Sequence, residues 1–478
     1  MKLEKKIPAI AGITCDSREV RPGYAFVAIT GFNKDGNKFI KEAIEKGAGI
    51  IFTEKKIKMK SEVPIIRVKD ARFLLGQLAA EFYDFPSRKL KLIGVTGTNG
   101  KTTTTHLIYH LLNYKRGKAK KAGLIGTVNV DTGTKFYPGD LTTPPPVKLQ
   151  QYLKEMVDKK LKYACMEVSS HGIKLKRIAG SRFAVKVGTN ISIDHYDLHP
   201  SFPDYLEVKK AFLQDNNCSL VLINHDDNYL GSLGKLAKNQ VNFAIYSETE
   251  VRAEEITNRG YEVEFIYKLN KPLKNEGGQI IPPCRMPVKM KLFGEHNIYN
   301  ALAAITIALY YGISPGLIQE FFRDFQGVWR RLQVIYNNDF TIIDDCAHNP
   351  GSYAAVFKTV KKMRYNKIFI INSLRGNRGI KINRENAETI SKCLTELGEY
   401  QLFTSNCNDV VKPVDLVSRE EEKIFLNTLD RYKIKYQHFQ ELKPALKLVL
   451  KKVTKNNLIL LLGPHAMDHA GEMILGMI

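Results

Sequence analysis

Apolar residues recur along this chain in two alternating rhythms. In "NKFIKEAIEKGA" and "ARFLLGQLAAEFYDF" they return at helical spacing, placing them on one face of a helix. In "YAFVAI" and "AGIIFTE" they form short unbroken runs bounded by polar or turn residues, which predicts buried strands. These segments fill residues 1–87 and predict a small α/β unit, with "FPSRK" supplying the Pro and Ser of a boundary. From residue 88 a larger unit opens with the strand-like "LKLIGV" and continues through "YACMEVSS", "FAVKVGTNIS" and "LVLINHD". The Gly- and Pro-rich "KNEGGQIIPPCRMP" predicts an antiparallel excursion, and helical "NIYNALAAITIALYYG" closes the unit near residue 326. A third unit, 327–478, starts around "GVWRRLQVI" and alternates "FTIIDD", "KIFIINS", "YQLFTS" and "LILLLG" with helical segments. Strand–helix alternation predicts a parallel sheet with crossover helices. The expectation is three α/β domains in series.

Length agrees, since 478 residues exceed what one ordinary core organises. A hydrophobic content of 44% with 25% charged residues is that of a soluble globular protein. The balance of 72 Lys and Arg against 49 Asp and Glu, a net of +23, raises the question of a nucleic-acid partner. The basic residues are scattered ("EKKIKMK", "VDKKLKY", "KLVLKKVTK"), not gathered into one tail or stripe. Such an excess suits polyanionic small molecules equally well, and no nucleic acid is expected. Seven cysteines spread singly from Cys15 to Cys407, with no CxxC pair, argue against a zinc ribbon or a disulfide framework. No stretch approaches the roughly 18 apolar residues that span a bilayer, and the start lacks a leader pattern. A cytoplasmic monomer without a membrane partner is expected.

The candidate chemistry begins at residues 94–112, "GVTGTNGKTTTTHLIYHLL". In the loop formed by Gly97, Thr98, Asn99 and Gly100, the glycines let backbone amides approach phosphate oxygens. Lys101 would bring positive charge to the terminal phosphates, and the Thr102 hydroxyl could ligate Mg²⁺, with Thr103 continuing the helix start. Val95 stands where the usual P-loop has its first glycine. In "MEVSSHG", Glu167 ends an apolar run, where a carboxylate can meet a metal held by the loop threonine. Ser170 and His171 lack the glycines of a nucleophile elbow, so triad chemistry is not expected there. His465 and His469 share a helical spacing, but without a glutamate after the first histidine no zinc site is expected.

The ordered segments "DSREVRPGYAFVAITGFNKDGNKFIKEAIEKGA", "GVTGTNGKTTTT", "LTTPPP", "MEVSSHG", "GTNISIDHYDLH", "YLEVKKAFL", "GEHNIYNALAA", "GVWRRLQVI" and "DDCAHNP" resemble Mur ligases, most of all the MurE type. The resemblance spans all three domains. It implies a central P-loop ATPase domain, a C-terminal Rossmann-like domain, and ATP-dependent amide formation through an acyl phosphate. Implied partners are a UDP-linked peptide and a free amino acid; implied cofactors are ATP and Mg²⁺. By resemblance, Lys101 contacts the β- and γ-phosphates, Thr102 and Glu167 hold one Mg²⁺, and His195 holds a second. Lys209 matches a carbamylated lysine, whose carbamate oxygen would ligate metal where an ammonium would repel it, although Lys210 is its neighbour. Asn297, Asn300, Arg331 and Asp345 would position the nucleotide, with Asp344 and Asp345 exchangeable. Ser17 in "CDSR", together with Thr142, Thr143, Ser169 and Arg177, would face the UDP-linked substrate.

The third domain departs from the pattern. Where diaminopimelate-adding enzymes carry "DNPR", this chain has "TSNCNDV", so Asn406 and Asp409 are the candidates facing the incoming amino acid and the arginine is missing. An acid there would suit a cationic side chain such as lysine. The late "GKGHE" is replaced by "GPHAMDHA". Two readings therefore stay open: a pseudomurein peptide ligase, and a lysine-adding ligase of peptidoglycan. "DDCAHNP" also resembles folylpolyglutamate synthetase, but the "TTP" segment and the first domain argue against that family.

Overall fold

The computed structural model describes residues 10–31, 34–115, 120–192 and 198–478. Its strands form a four-stranded, an eleven-stranded and a six-stranded sheet in chain order, with one two-stranded ribbon. The small sheet is parallel in the order Gly12–Thr14, Tyr24–Ala28, Ile50–Thr53 and Ile65–Arg67. Its central strands are buried on both faces, which is why "YAFVA" and "IIFT" read as unbroken apolar runs. Helix Ala71–Phe82 starts at Asp70, whose carboxylate accepts from Phe73 N at 2.8 Å.

In the large sheet, Lys91–Thr96 lies between Tyr163–Glu167 and Val185–Gly188, all three parallel. The chain builds one side of this strand first and then crosses to the other, so the loops after the three strands open a crevice at their carboxyl ends. At the far edge, Val251–Arg259, Glu262–Leu269 and Cys284–Met290 pair antiparallel. The predicted excursion accounts for the last of these and for the ribbon Leu273–Lys274 with Ile280–Ile281. Helix Glu295–Tyr310 is nearly all buried, and an amphipathic helix, Pro315–Asp324, follows it.

The third sheet runs Gln333–Asn337, Thr341–Asp345, Leu458–Leu462, Ile368–Ser373, Tyr400–Ser405 and Tyr436–Phe439. It is parallel except for its first strand, an antiparallel edge that the strand–helix alternation does not reveal. One apolar cluster continues from the large sheet through Glu295–Tyr310 to Tyr353, Val356 and Ile370, so the second and third units share a packed boundary.

Candidate active site

The loop after Lys91–Thr96 turns at Gly97 and Gly100, with φ of 154° and 82°. A β-carbon on Gly100 would stand 2.6 Å from Asn300 Oδ1, and one on Gly97 would stand 1.8 Å from Thr189 Oγ1. Glycine is therefore required at both places on backbone and steric grounds. The missing first glycine at Val95 is harmless, because Val95 is still inside the strand and fully buried. Lys101 opens helix Lys101–Asn113 and folds back over the loop, donating to Gly97 O at 2.9 Å and Thr98 O at 2.8 Å.

Beside this loop, Thr102 Oγ1 donates to Glu167 Oε2 at 2.8 Å. Glu167 is buried at the end of its strand and also accepts from Thr127 N at 2.8 Å. Thr142 Oγ1 lies 3.0 Å from Thr127 Oγ1. Thr143 donates to Glu167 O at 2.9 Å and accepts from Ser169 N, while Arg177 Nη1 reaches Thr143 O at 2.9 Å. Thr142, Thr143, Ser169 and Arg177 thus form one continuous wall beside Glu167.

Asn297 and Asn300, three residues apart on one helical face, bond to each other at 3.0 Å, and Thr104 Oγ1 donates to Asn300 at 3.0 Å. From the third unit, Arg331 Nη2 donates to Thr102 Oγ1 at 3.2 Å, and Asn99 and Asn349 pair their amides across the same boundary. Asp345 accepts from Leu332 N at 2.7 Å; burial pushes its carboxyl up to about 6, against the opposing pull of Arg331. Asp344 is separate, paired with Arg330 at 3.0 Å. Burial also depresses His296, in the same wall, to about 4, so it is uncharged near neutrality. Lys101, Thr102, Thr142, Glu167, Ser169, Arg177, Asn297, Asn300, Arg331 and Asp345 line one cavity of about 800 Å³, whereas Thr143 and Asp344 are buried outside its lining.

Of the remaining candidates, Lys209 sits just beneath the loop. Its side chain is buried on helix Phe202–Leu213 and donates to Gly97 O at 2.8 Å, whereas Lys210 pairs with Glu207 on the outside. His195 lies outside the described residues. Ser17 is held in the first unit, donating to Glu42 at 2.9 Å, away from the cavity.

Asn406 and Asp409 do not line this cavity. Both Asp409 oxygens accept backbone amides, Leu442 N at 2.8 Å and Lys443 N at 3.0 Å, at the start of helix Leu442–Lys452. Asn406 donates to Glu422 and Gln440 in a separate groove. In their place the cavity wall carries Arg375 and Arg378 from the loop after Ile368–Ser373, with His348 and His465. Basic residues at the carboxyl end of a parallel strand were the available signal for the two arginines, in "SLRGNRG".

What fold and cavity define is a three-domain P-loop enzyme whose phosphate-binding loop is faced by a second domain. Residues 9–83 match the Mur ligase family catalytic domain, 95–308 the Mur ligase middle domain, and 330–465 the Mur ligase glutamate ligase domain. A UDP-N-acetylmuramoyl-L-alanyl-D-glutamate–2,6-diaminopimelate ligase of Aquifex aeolicus is 32% identical over 472 residues, 98% of this chain and 91% of the relative. A solved structure of a ligase with the same name aligns over 99% of this chain and 97% of its own, with a TM-score of 0.67 at 20% identity. A pseudomurein peptide ligase type C from Methanothermus fervidus aligns over 95% and 94%, with a TM-score of 0.59 at 19% identity. The chain belongs to the Mur ligase family and is an ATP-dependent acid–amino-acid ligase of the MurE-like kind.

Proposed function

We propose that this enzyme adds one amino acid to the peptide of a UDP-linked cell-wall precursor, after ATP has converted the peptide's terminal carboxylate into an acyl phosphate. The observation that carries the reading is the Thr102–Glu167 pair at the foot of the phosphate loop, with Arg331 arriving from the other domain. In this reading residues 1–87 bind the UDP moiety, 88–326 bind ATP and 327–478 receive the amino acid. Ser17 belongs to the first of these surfaces, and Thr142, Thr143, Ser169 and Arg177 hold the sugar–peptide portion beside the phosphate loop.

The hard oxygen donors of Glu167, Thr102 and Thr127 meet within hydrogen-bond distance and fit Mg²⁺, which takes few protein ligands and completes its shell with phosphates and water. Bound there, the ion would offset charge on the transferring phosphoryl group. His195 and a carbamylated Lys209 are the further ligands the family pattern supplies. Lys101 draws the terminal phosphates into the loop, and Arg331 closes over them, excluding water from the acyl phosphate. Asn297, Asn300 and Asp345 orient the nucleoside. No catalytic proton shuttle is required beyond removal of one proton from the attacking amine.

The absent arginine at Asp409, and an Asn406–Asp409 segment whose polar side chains are bonded within the third domain, count against diaminopimelate and keep a pseudomurein precursor as the first reading. The second reading, lysine addition in peptidoglycan synthesis, draws its peptidoglycan part from whole-length similarity to a diaminopimelate-adding ligase, and its lysine part from the missing arginine alone. No helix among the described residues is long and apolar enough to cross a membrane. The test is purified protein with ATP, Mg²⁺ and UDP-linked peptides, offered a panel of amino acids, recording phosphate release and product mass. Lys101→Ala and Glu167→Ala should each abolish release. Phosphate release that needs no peptide, or that DNA or RNA stimulates, would overturn the reading.

A further inference from the structure

Between the second and third domains the chain passes through Val328–Leu332. Two residues there that are not glycine, Arg330 and Leu332, hold left-handed backbone at φ 52° and 47°. Side-chain-bearing residues keep that conformation only where their surroundings over-determine it. The surroundings are explicit. Arg330 is 1% exposed, among the most buried large side chains of the chain. Its Nε donates to Asp344 at 3.0 Å, Nη1 to Asp468 at 2.6 Å and to Pro464 O at 3.0 Å, and Nη2 to Gly463 O at 2.6 Å. Its own carbonyl accepts from Cys346 N at 2.9 Å. On the other side, Leu332 N is held by Asp345 at 2.7 Å.

Arg331 stands between these two pinned residues. It leaves the third domain and reaches Thr102 Oγ1 at 3.2 Å, the hydroxyl that also meets Glu167. Arg331 Nε is buried and donates to nothing among the described residues, which leaves a donor for a ligand. Asp468 ties the same device to the cavity rim, since its second oxygen meets His465 Nδ1 at 3.1 Å.

We propose that Arg330 is a positioning residue: a buried clasp that fixes the linker so that Arg331 is delivered across the domain boundary to the phosphate loop. A guanidinium that merely cemented the third domain would need no left-handed turn on either side of Arg331, and an apolar side chain of similar volume would serve as well. The inference rests on the proposed role of Arg331 toward the nucleotide, and the experiment separates the two.

Trp329, the chain's single tryptophan, is 44% exposed, and the Arg330 guanidinium carbon lies 5.9 Å from its ring. Its emission therefore reports the linker directly. Calorimetric titration with Mg-ADP should show Arg330→Lys and Asp468→Asn each weakening binding on the order of tenfold, with KM for ATP rising in parallel. Emission of the nucleotide-free protein should shift in Arg330→Lys and stay unchanged in Arg331→Ala. The double variant Arg330→Lys, Arg331→Ala should bind no more weakly than Arg331→Ala alone. Additive losses in the double variant, or wild-type affinity in Arg330→Lys, would overturn the clasp while leaving the role of Arg331 intact. Wild-type affinity in Arg331→Ala would overturn the nucleotide reading and the clasp together. Should Arg330→Lys not fold, Asp468→Asn, altered at the half-buried end of the network, takes its place in the same cycle.

Discussion

Asp345 makes a stability prediction with a definite sign. It ends strand Thr341–Asp345 almost wholly out of water, where burial raises its carboxyl from 3.8 to about 6 while Arg331 and Leu332 N oppose the rise. An acid with a higher folded than unfolded value holds its proton more tightly in the folded chain. Folding is therefore favoured by this group at low pH. The advantage fades as pH climbs between the two values and is gone above about 6. At about 1.4 kcal/mol per pH unit, the charged form then weighs on the folded state by about 3 kcal/mol. Asp345→Asn removes the charge and keeps an oxygen for Leu332 N. The charge-assisted bond from Leu332 N is already contained in the net shift. The nucleotide-free variant should thus exceed wild type by about 3 kcal/mol at pH 8 and by nothing at pH 3. In thermal melts, at roughly 2–4 °C per kcal/mol for a domain of 150–250 residues, the difference is several degrees at pH 8. The same variant should bind ATP more weakly, since a buried carboxylate kept against its own stability is a mark of function. A variant less stable than wild type at pH 8, or a difference that does not change with pH, would refute the reasoning.

Gly100→Ala should leave a folded protein destabilised by about 1–3 kcal/mol, because its β-carbon enters a left-handed turn and meets Asn300 at 2.6 Å; phosphate release should fall to background, and wild-type turnover would contradict the loop geometry. Asp409→Ala should lower stability by about 1 kcal/mol through two unpartnered helix amides, with KM for the amino acid unchanged; a large rise in that KM would return Asp409 to the site. Lys209→Ala should lose phosphate release and regain part of it with short carboxylates, an assay that unchanged turnover in the variant would decide against the carbamate.

The strands and helices were legible because burial on both faces leaves unbroken apolar runs, as in Ile50–Thr53 and Leu458–Leu462. The phosphate loop was legible because its glycines, lysine and threonine act within a few residues of one another. Lys209 and Lys210 could not be separated by composition; the helix settles which is inward, since adjacent residues point about 100° apart. The antiparallel edge Gln333–Asn337 was hidden because strand direction depends on a partner far along the chain.

What the sequence determined by itself is local: the order of elements, the turn that only glycine can make at Gly100, and the residue types that chemistry on phosphate demands. What the tertiary structure decided is which distant groups share a cavity. Asp409 looked available in the sequence, yet its oxygens are taken by the amides of Leu442 and Lys443; Arg375 and Arg378 looked ordinary, yet they line the wall. The physical reason is that a side chain's role follows from which hydrogen-bond partners remain open to it, and those partners are set by packing between segments that the sequence keeps far apart.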